Sequence, residues 1–176
     1  MNRCLQYDQH NYYSPLPALM YCFSMIDMLG ALYGGNAKEK RDSTGMSGNY
    51  MKTLMKYPHD KVDLLQKAYR HKLVHLSAPK TAINYNGRTI SWKLHDTTKI
   101  DHLEINSESG SIDLFSRGTI GYSGKFTVDI ATLKDDIKQS VIRDIDGYLL
   151  RLQSDIDLQH KFTKAVNQIY EPLQYP

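Results

Sequence analysis

Hydrophobic and polar positions divide the chain into helices, then strands, then helices again. The first helix is predicted to begin at Ser14 and Pro15, which suit the N-cap and first-turn positions. Apolar side chains then lie on nearly every side of the helix over residues 16–32, until Gly34-Gly35 signals its end. A membrane span is the alternative, but Asp27 in the middle and the polar character of the remaining chain favour a buried core helix.

Two more helices are predicted before the pattern changes. Residues 36–48 are polar and predict a loop, and residues 49–57 predict a short helix. Asp60 then suits the N-cap of a longer helix whose apolar positions recur at helical spacing through Val74. Pro79 stops this helix.

Between residues 81 and 130, apolar and polar positions alternate, as they do in strands. Asn86-Gly87 between two alternating runs is the sequence signal of a two-residue type I′ hairpin. Serine and glycine clusters separate the later runs. The pattern predicts a small antiparallel β-meander of four or five strands over residues 81–85, 88–94, 102–106, 111–115 and 125–130.

Helical spacing returns after the strands. Thr132 and Asp135 resemble a capping box at the start of the segment. The apolar positions then continue to Pro172 and predict either one long helix bent near Gly147 or two helices in succession.

Together these segments predict an α+β fold in a single domain, 1–176. Its helical part spans residues 14–78, and the β-meander is inserted at about residues 81–130. The C-terminal helix or helices, over residues 132–171, are expected to return to the helical bundle.

From the composition we expect a protein of a reducing compartment, the cytoplasm. The chain has two cysteines without close spacing, and no apolar segment of a secretion signal is seen at Met1–Asp8. The net charge of +3 is uneven, since residues 1–80 carry eleven Lys and Arg against six Asp and Glu. Residues 81–176 carry eleven against thirteen. A basic first half suits a polyanion such as RNA, and no membrane partner is expected.

The segment that carries candidate chemistry is Tyr69–Leu76. Cleaving RNA without a metal needs a proton-transfer group, which His75 would supply, and fixed positive charge, which Arg70 would supply. His71 would orient one of them. On a straight helix Arg70 and His75 point in directions roughly 140° apart around the axis. To act together they need a break near Val74 or a second chain.

Other functions for these residues remain open. Basic side chains near a helix C-terminus are favoured by the helix dipole without any catalysis. His71 and His75 could form a metal pair, but no third ligand lies nearby. Asp27 could orient His75, pair with Arg70 or lie half-solvated at the edge of a bundle. No phosphate-binding glycine motif of a nucleotide-cofactor fold occurs, and no cofactor is expected.

The run from Arg70 to His75 matches R-[N/D/H]-x-x-x-H and resembles the signature of HEPN domains. Phe23–Gly30, an apolar run interrupted by Asp27, resembles the first helix of HEPN-like families. The resemblance implies a helical bundle, a homodimer with a composite cleft and a metal-independent endoribonuclease of toxin–antitoxin or defence systems. RNA would be the substrate and an antitoxin a partner protein. Arg70 and His75 would be catalytic, with His71 and Asp27 in support. A non-catalytic HEPN-like dimeric binding or regulatory module is the alternative.

Overall fold

The computed structural model describes residues 15–38, 42–70, 82–95, 101–113 and 118–172, which form an α+β fold as predicted. They separate into two compact units, each assembled from two stretches of the chain. Unit 1 comprises Met1–Phe23 and Asp63–Asp135, and unit 2 comprises Ser24–Val62 and Asp136–Pro176. That the chain is a single domain and that its helices form a HEPN bundle both stay predictions.

The first helix, α1, spans Pro15–Gly34 and begins and ends where the sequence predicts. Gly35 adopts a left-handed conformation (φ 72°), and the Asn36 N–H donates to the Ala31 carbonyl at 3.0 Å. These are the features of a Schellman cap. The stretch Leu16–Gly34 is long and apolar enough to cross a membrane, and 44% of it is buried within the protein. Ser14 lies outside the described residues.

Helix α2 spans Ser43–Thr53, so the prediction of a loop over residues 36–48 is wrong for its second half. Asp42 is the reason, because its Oδ1 accepts the Gly45 N–H at 2.8 Å and caps the helix six residues earlier than the predicted start. Helix α3 spans His59–Leu64 and continues into a π-helical segment over Leu65–Arg70.

The strand region contains six strands among the described residues, in two sheets. They are β1 (Ile83–Tyr85), β2 (Arg88–His95), β3 (Ile105–Asn106), β4 (Gly110–Asp113), β5 (Thr119–Tyr122) and β6 (Lys125–Asp129). The Asn86-Gly87 hairpin is confirmed, since both residues have positive φ and Ile83 pairs with Ile90.

The predicted antiparallel meander is wrong, because β2 and β6 are parallel neighbours in a mixed sheet of order β1-β2-β6-β3. Strands β4 and β5 form a separate antiparallel pair. Phe126 and Val128 alternate with Thr127 and Asp129 along β6, the pattern from which the sequence predicts a strand. All four side chains are buried, as expected for a central strand that is flanked on both edges.

The C-terminal segment forms three helices rather than one or two. Helix α4 spans Ile130–Ile142, α5 spans Tyr148–Ser154 and α6 spans Ile156–Ile169. The break at Gly147 is confirmed, and a second break follows at Asp155, whose side chain caps α6 through the Leu158 N–H.

The predicted capping box at Thr132 and Asp135 is also wrong. Asp129, the last residue of β6, accepts the Thr132 N–H at 2.6 Å and begins α4 earlier. The Asp129 N–H in turn donates to Nδ1 of His102 at 3.1 Å. A residue assigned to the end of a strand therefore also supplies the helix cap.

Candidate functional site

The predicted motif begins at the end of the π-helical segment. Three consecutive residues, Ala68, Tyr69 and Arg70, are buried, which one face of an α-helix does not accommodate. The wider π turn, with its longer hydrogen-bonding step, changes the direction in which these side chains project. The helix therefore departs from α geometry at Leu65, before the motif. The position near Val74, where the sequence motif called for a break, lies outside the described residues.

Tyr69 anchors this segment to the sheet of unit 1. Its hydroxyl lies 2.9 Å from the Phe126 carbonyl oxygen and 3.1 Å from that of Lys93, and donates toward both. These carbonyls belong to the parallel neighbours β6 and β2. The Tyr69 ring also meets the Trp92 ring edge to face, with centroids 6.3 Å apart, and lies tilted against the Phe126 ring, with centroids 6.0 Å apart. Burial raises the pKa of the Tyr69 hydroxyl, so it remains a neutral donor at all physiological pH values.

Arg70, the proposed phosphate clamp, is only 7% exposed. It also has at least one interaction within the protein. A side chain this deeply buried offers little of its surface to a phosphate. The sequence did not reveal this burial, since the motif ends a helix where basic side chains usually reach solvent.

Of the other three proposed site residues, the structure describes only Asp27. His71 and His75 lie outside the described residues. Asp27 is half-buried in the part of α1 that belongs to unit 2, and it too has an interaction partner. The catalytic roles of these four residues stay predictions. Among the described residues, no group of three or more His, Cys, Asp or Glu is arranged to hold a metal ion.

In unit 2, three basic side chains converge on Asp146 between α4 and α5. Lys56 Nζ lies 2.8 Å from its carboxylate, Arg143 Nη1 lies 3.1 Å away and Arg151 Nη2 lies 3.7 Å away. The hydrogen bond from Lys56, together with the charges of all three, holds the pKa of Asp146 below its ordinary value. We call these four residues the Asp146 cluster. Nothing in the sequence spacing of Lys56 and Asp146 indicated it.

A second feature of unit 2 is a set of large aliphatic side chains in solvent. They lie at the end of α4, along α5 and at the start of α6, and we call them the aliphatic surface: Ile142, Ile145, Leu149, Leu150 and Ile156. Ile145 is 80% exposed and Ile156 62%. Ile145, Leu149 and Ile156 recur at helical spacing in the sequence, whereas the structure breaks the helix at Gly147 and Asp155.

Helix α6 also lines an open groove. His160, Thr163, Lys164, Asn167, Gln168 and Glu171 lie along it, beside a volume of about 490 Å³. At one end the Gln168 side chain accepts the Ala37 N–H at 2.6 Å. The described lining comes from one helix face and its C-terminal end, so the groove gives no convergent set of polar groups.

Comparison with known proteins assigns a function to none of these features. No protein-family model matches the chain, and comparisons with the curated proteins and with the solved structures find no match either.

Proposed function

We propose that this chain is a non-catalytic, dimeric binding module, with the aliphatic surface of unit 2 as its self-association face. The observation that carries the proposal is the exposure of five large aliphatic residues between Ile142 and Ile156. Isolated exposed apolar residues are ordinary on a protein surface, but such a concentration is typical of an interaction site.

The charges around this surface favour a second copy of the chain as the partner. Between Lys138 and Lys161, four basic residues are matched by four acidic ones. They are Lys138, Arg143, Arg151 and Lys161, and Asp144, Asp146, Asp155 and Asp157. In a twofold symmetric interface the same patch faces itself, so a patch of one charge sign would repel its copy. Lys56, whose Nζ lies 2.8 Å from the Asp146 carboxylate, adds one positive charge to this balance. A patch this close to neutral has little charge with which to repel its copy.

The burial of Arg70 supports a binding module over a nuclease. Catalysis of RNA cleavage needs a guanidinium that reaches the phosphate as charge develops on it. Arg70 is 7% exposed and has partners within the protein. A role in holding the helical segment in place accounts for both facts.

Sedimentation of wild type and Ile145→Glu/Leu149→Glu tests the self-association. Both positions are exposed in the monomer, so the charges should leave folding nearly unchanged but be buried unpaired in a dimer. We expect a wild-type dimer and a monomeric variant with the same circular dichroism spectrum. Tyr170→Glu, at an 82% exposed residue outside the aliphatic surface, is the matched control and should remain dimeric. A wild type that is monomeric at every concentration tested would refute the proposal.

The ribonuclease alternative is tested separately with a mixed RNA pool in excess EDTA. The binding module should leave the RNA intact. Cleavage that yields 2′,3′-cyclic phosphate ends and is lost in folded Arg70→Ala and His75→Ala variants would replace our proposal with the nuclease.

A further inference from the structure

The Asp146 cluster holds more positive than negative charge. Lys56, Arg143 and Arg151 all contact one carboxylate, so two positive charges remain in the group after Asp146 is counted. Like charges gathered at this distance repel each other. A bound anion would relieve that repulsion, whereas a structural ion pair would need only one cation.

The two guanidinium groups are held in place without a ligand. Arg143 donates from Nη2 to the Leu54 carbonyl at 3.4 Å, and Arg151 donates from Nε to the backbone carbonyl of Asp146 at 3.0 Å. Each arginine therefore has a backbone anchor as well as its contact with the carboxylate. Side chains fixed before binding lose less conformational entropy when a ligand arrives.

The backbone of the cluster is unusual as well as its charge. Lys56 and Asp146, which form the shortest ion pair of the cluster, both have left-handed backbone conformations, with φ of 62° and 65°. Aspartate tolerates this conformation in turns, whereas it is uncommon for lysine. Gly147 keeps the turn tight, since a Cβ there would lie 2.5 Å from the Arg143 carbonyl oxygen.

Solvent reaches all three cations. The side chains of Lys56, Arg143 and Arg151 are 49%, 34% and 32% exposed. A small anion could therefore contact them without any opening of the fold.

We propose that Lys56, Arg143 and Arg151 form a binding site for a phosphate monoester group. Such a group carries nearly two negative charges at neutral pH, which matches the two positive charges left over in the cluster. Guanidinium forks suit its oxygens because they donate parallel hydrogen bonds, and the ammonium of Lys56 adds a point charge. A phosphodiester has one charge per group and matches the cluster less well. The proposal goes beyond the dimer. Arg143 and Asp146 follow residues of the aliphatic surface directly in sequence, so phosphate binding and self-association are measured on the same samples.

Isothermal titration calorimetry with inorganic phosphate tests the site, and a titration with chloride at the same ionic strength serves as the reference. We expect saturable binding to wild type that is at least tenfold weaker in Arg151→Gln and in Lys56→Gln. Lys164→Gln removes an exposed cation of the same unit outside the cluster and should bind as wild type does. Thermal unfolding and sedimentation of the same samples separate loss of the site from loss of fold or of the dimer.

Two results would overturn the assignment. Absence of phosphate binding by wild type beyond that in chloride would leave the cluster as a purely structural clamp between Leu54 and the α4–α5 turn. A single-stranded oligoribonucleotide with a 5′-hydroxyl carries only phosphodiesters. If it binds at the cluster and inorganic phosphate does not, the monoester is excluded as the ligand.

Discussion

Three tyrosines of unit 2 form a cluster in which each ring contacts the other two. Tyr33, Tyr50 and Tyr148 have centroids 6.0 to 6.3 Å apart and meet edge to face, an arrangement that favours aromatic pairs. Their hydroxyl groups differ. Tyr50 shares a 2.8 Å hydrogen bond with Ser140, whereas the Tyr148 hydroxyl is buried and has no hydrogen-bond partner. Burial raises the pKa of Tyr50 to about 12 and also raises that of Tyr148.

This difference predicts opposite effects of one chemical change. Tyr148→Phe removes a buried group that makes no hydrogen bond, so the free energy of unfolding should stay equal or rise by up to about 1 kcal/mol. Tyr50→Phe removes a satisfied hydroxyl and should lower it by about 1–2 kcal/mol. Urea unfolding of the two variants measures both, each serving as the other's control. Equal destabilisation by both would show that the Tyr148 hydroxyl has a partner in solution.

At the scale of elements, α1 and α2 approach each other closely at a glycine. A Cβ on Gly30 would lie 2.8 Å from the Ser47 nitrogen and 2.9 Å from its Cα, both of which are backbone atoms. The Gly30 position therefore sets the spacing between these helices. At Gly34, by contrast, a Cβ would meet the Met46 side chain, with its sulfur at 3.1 Å.

Gly30→Ala should destabilise the protein by about 1–3 kcal/mol, because the helices must move apart and overpacking outweighs the better helix propensity of alanine. Gly34→Ala, near the end of the same helix, should have little effect since the Met46 side chain can adopt another rotamer. Thermal unfolding compares the two. A Gly30→Ala variant as stable as Gly34→Ala would mean that the helix spacing is not tight.

The elements that the sequence predicted correctly depend on nearby residues. Gly35 and the Asn86-Gly87 turn act within a few positions of themselves, so their patterns were sufficient. The parallel pairing of β2 with β6 joins residues far apart in sequence, and no local pattern encodes it. Asp42 and Asp129 are caps that could have been recognised, because aspartate before a helix is a known signal.

The candidate sites were harder to predict for the same reason. The catalytic role proposed for Arg70 stays a prediction, and its burial depends on tertiary packing that the sequence pattern does not show. Lys56 and Asp146 meet only in the folded chain. The exposure of the aliphatic surface likewise depends on tertiary packing, which helical spacing alone does not show. Tyr69, which the sequence places at the start of the motif segment, carries a hydroxyl that donates to carbonyls of two strands.

At the scale of the whole molecule, charge interactions make stability depend on pH. The pKa of Asp146 is lowered, so its contribution to stability is present above its unfolded value of about 3.8 and is lost as pH falls through the folded value. Asp146→Asn should therefore be less stable than wild type at pH 7, and the difference should shrink at pH 2.5.

Urea midpoints at the two pH values measure this effect. Asp144→Asn changes an exposed carboxylate on the same turn and should follow wild type at both. A difference between Asp146→Asn and wild type that is independent of pH would show that packing, rather than charge, is lost.

The parallel pair has a consequence for the chain as it is made. On the ribosome, β1 and β2 emerge together and can close their hairpin at once, but the second edge of β2 must wait for β6. Until Asp129 has emerged, that edge presents unpaired N–H and C=O groups beside the buried residue Ile90, and these are open to other chains. The interval between the synthesis of β2 and that of β6 is therefore the period in which the nascent sheet most needs protection from aggregation.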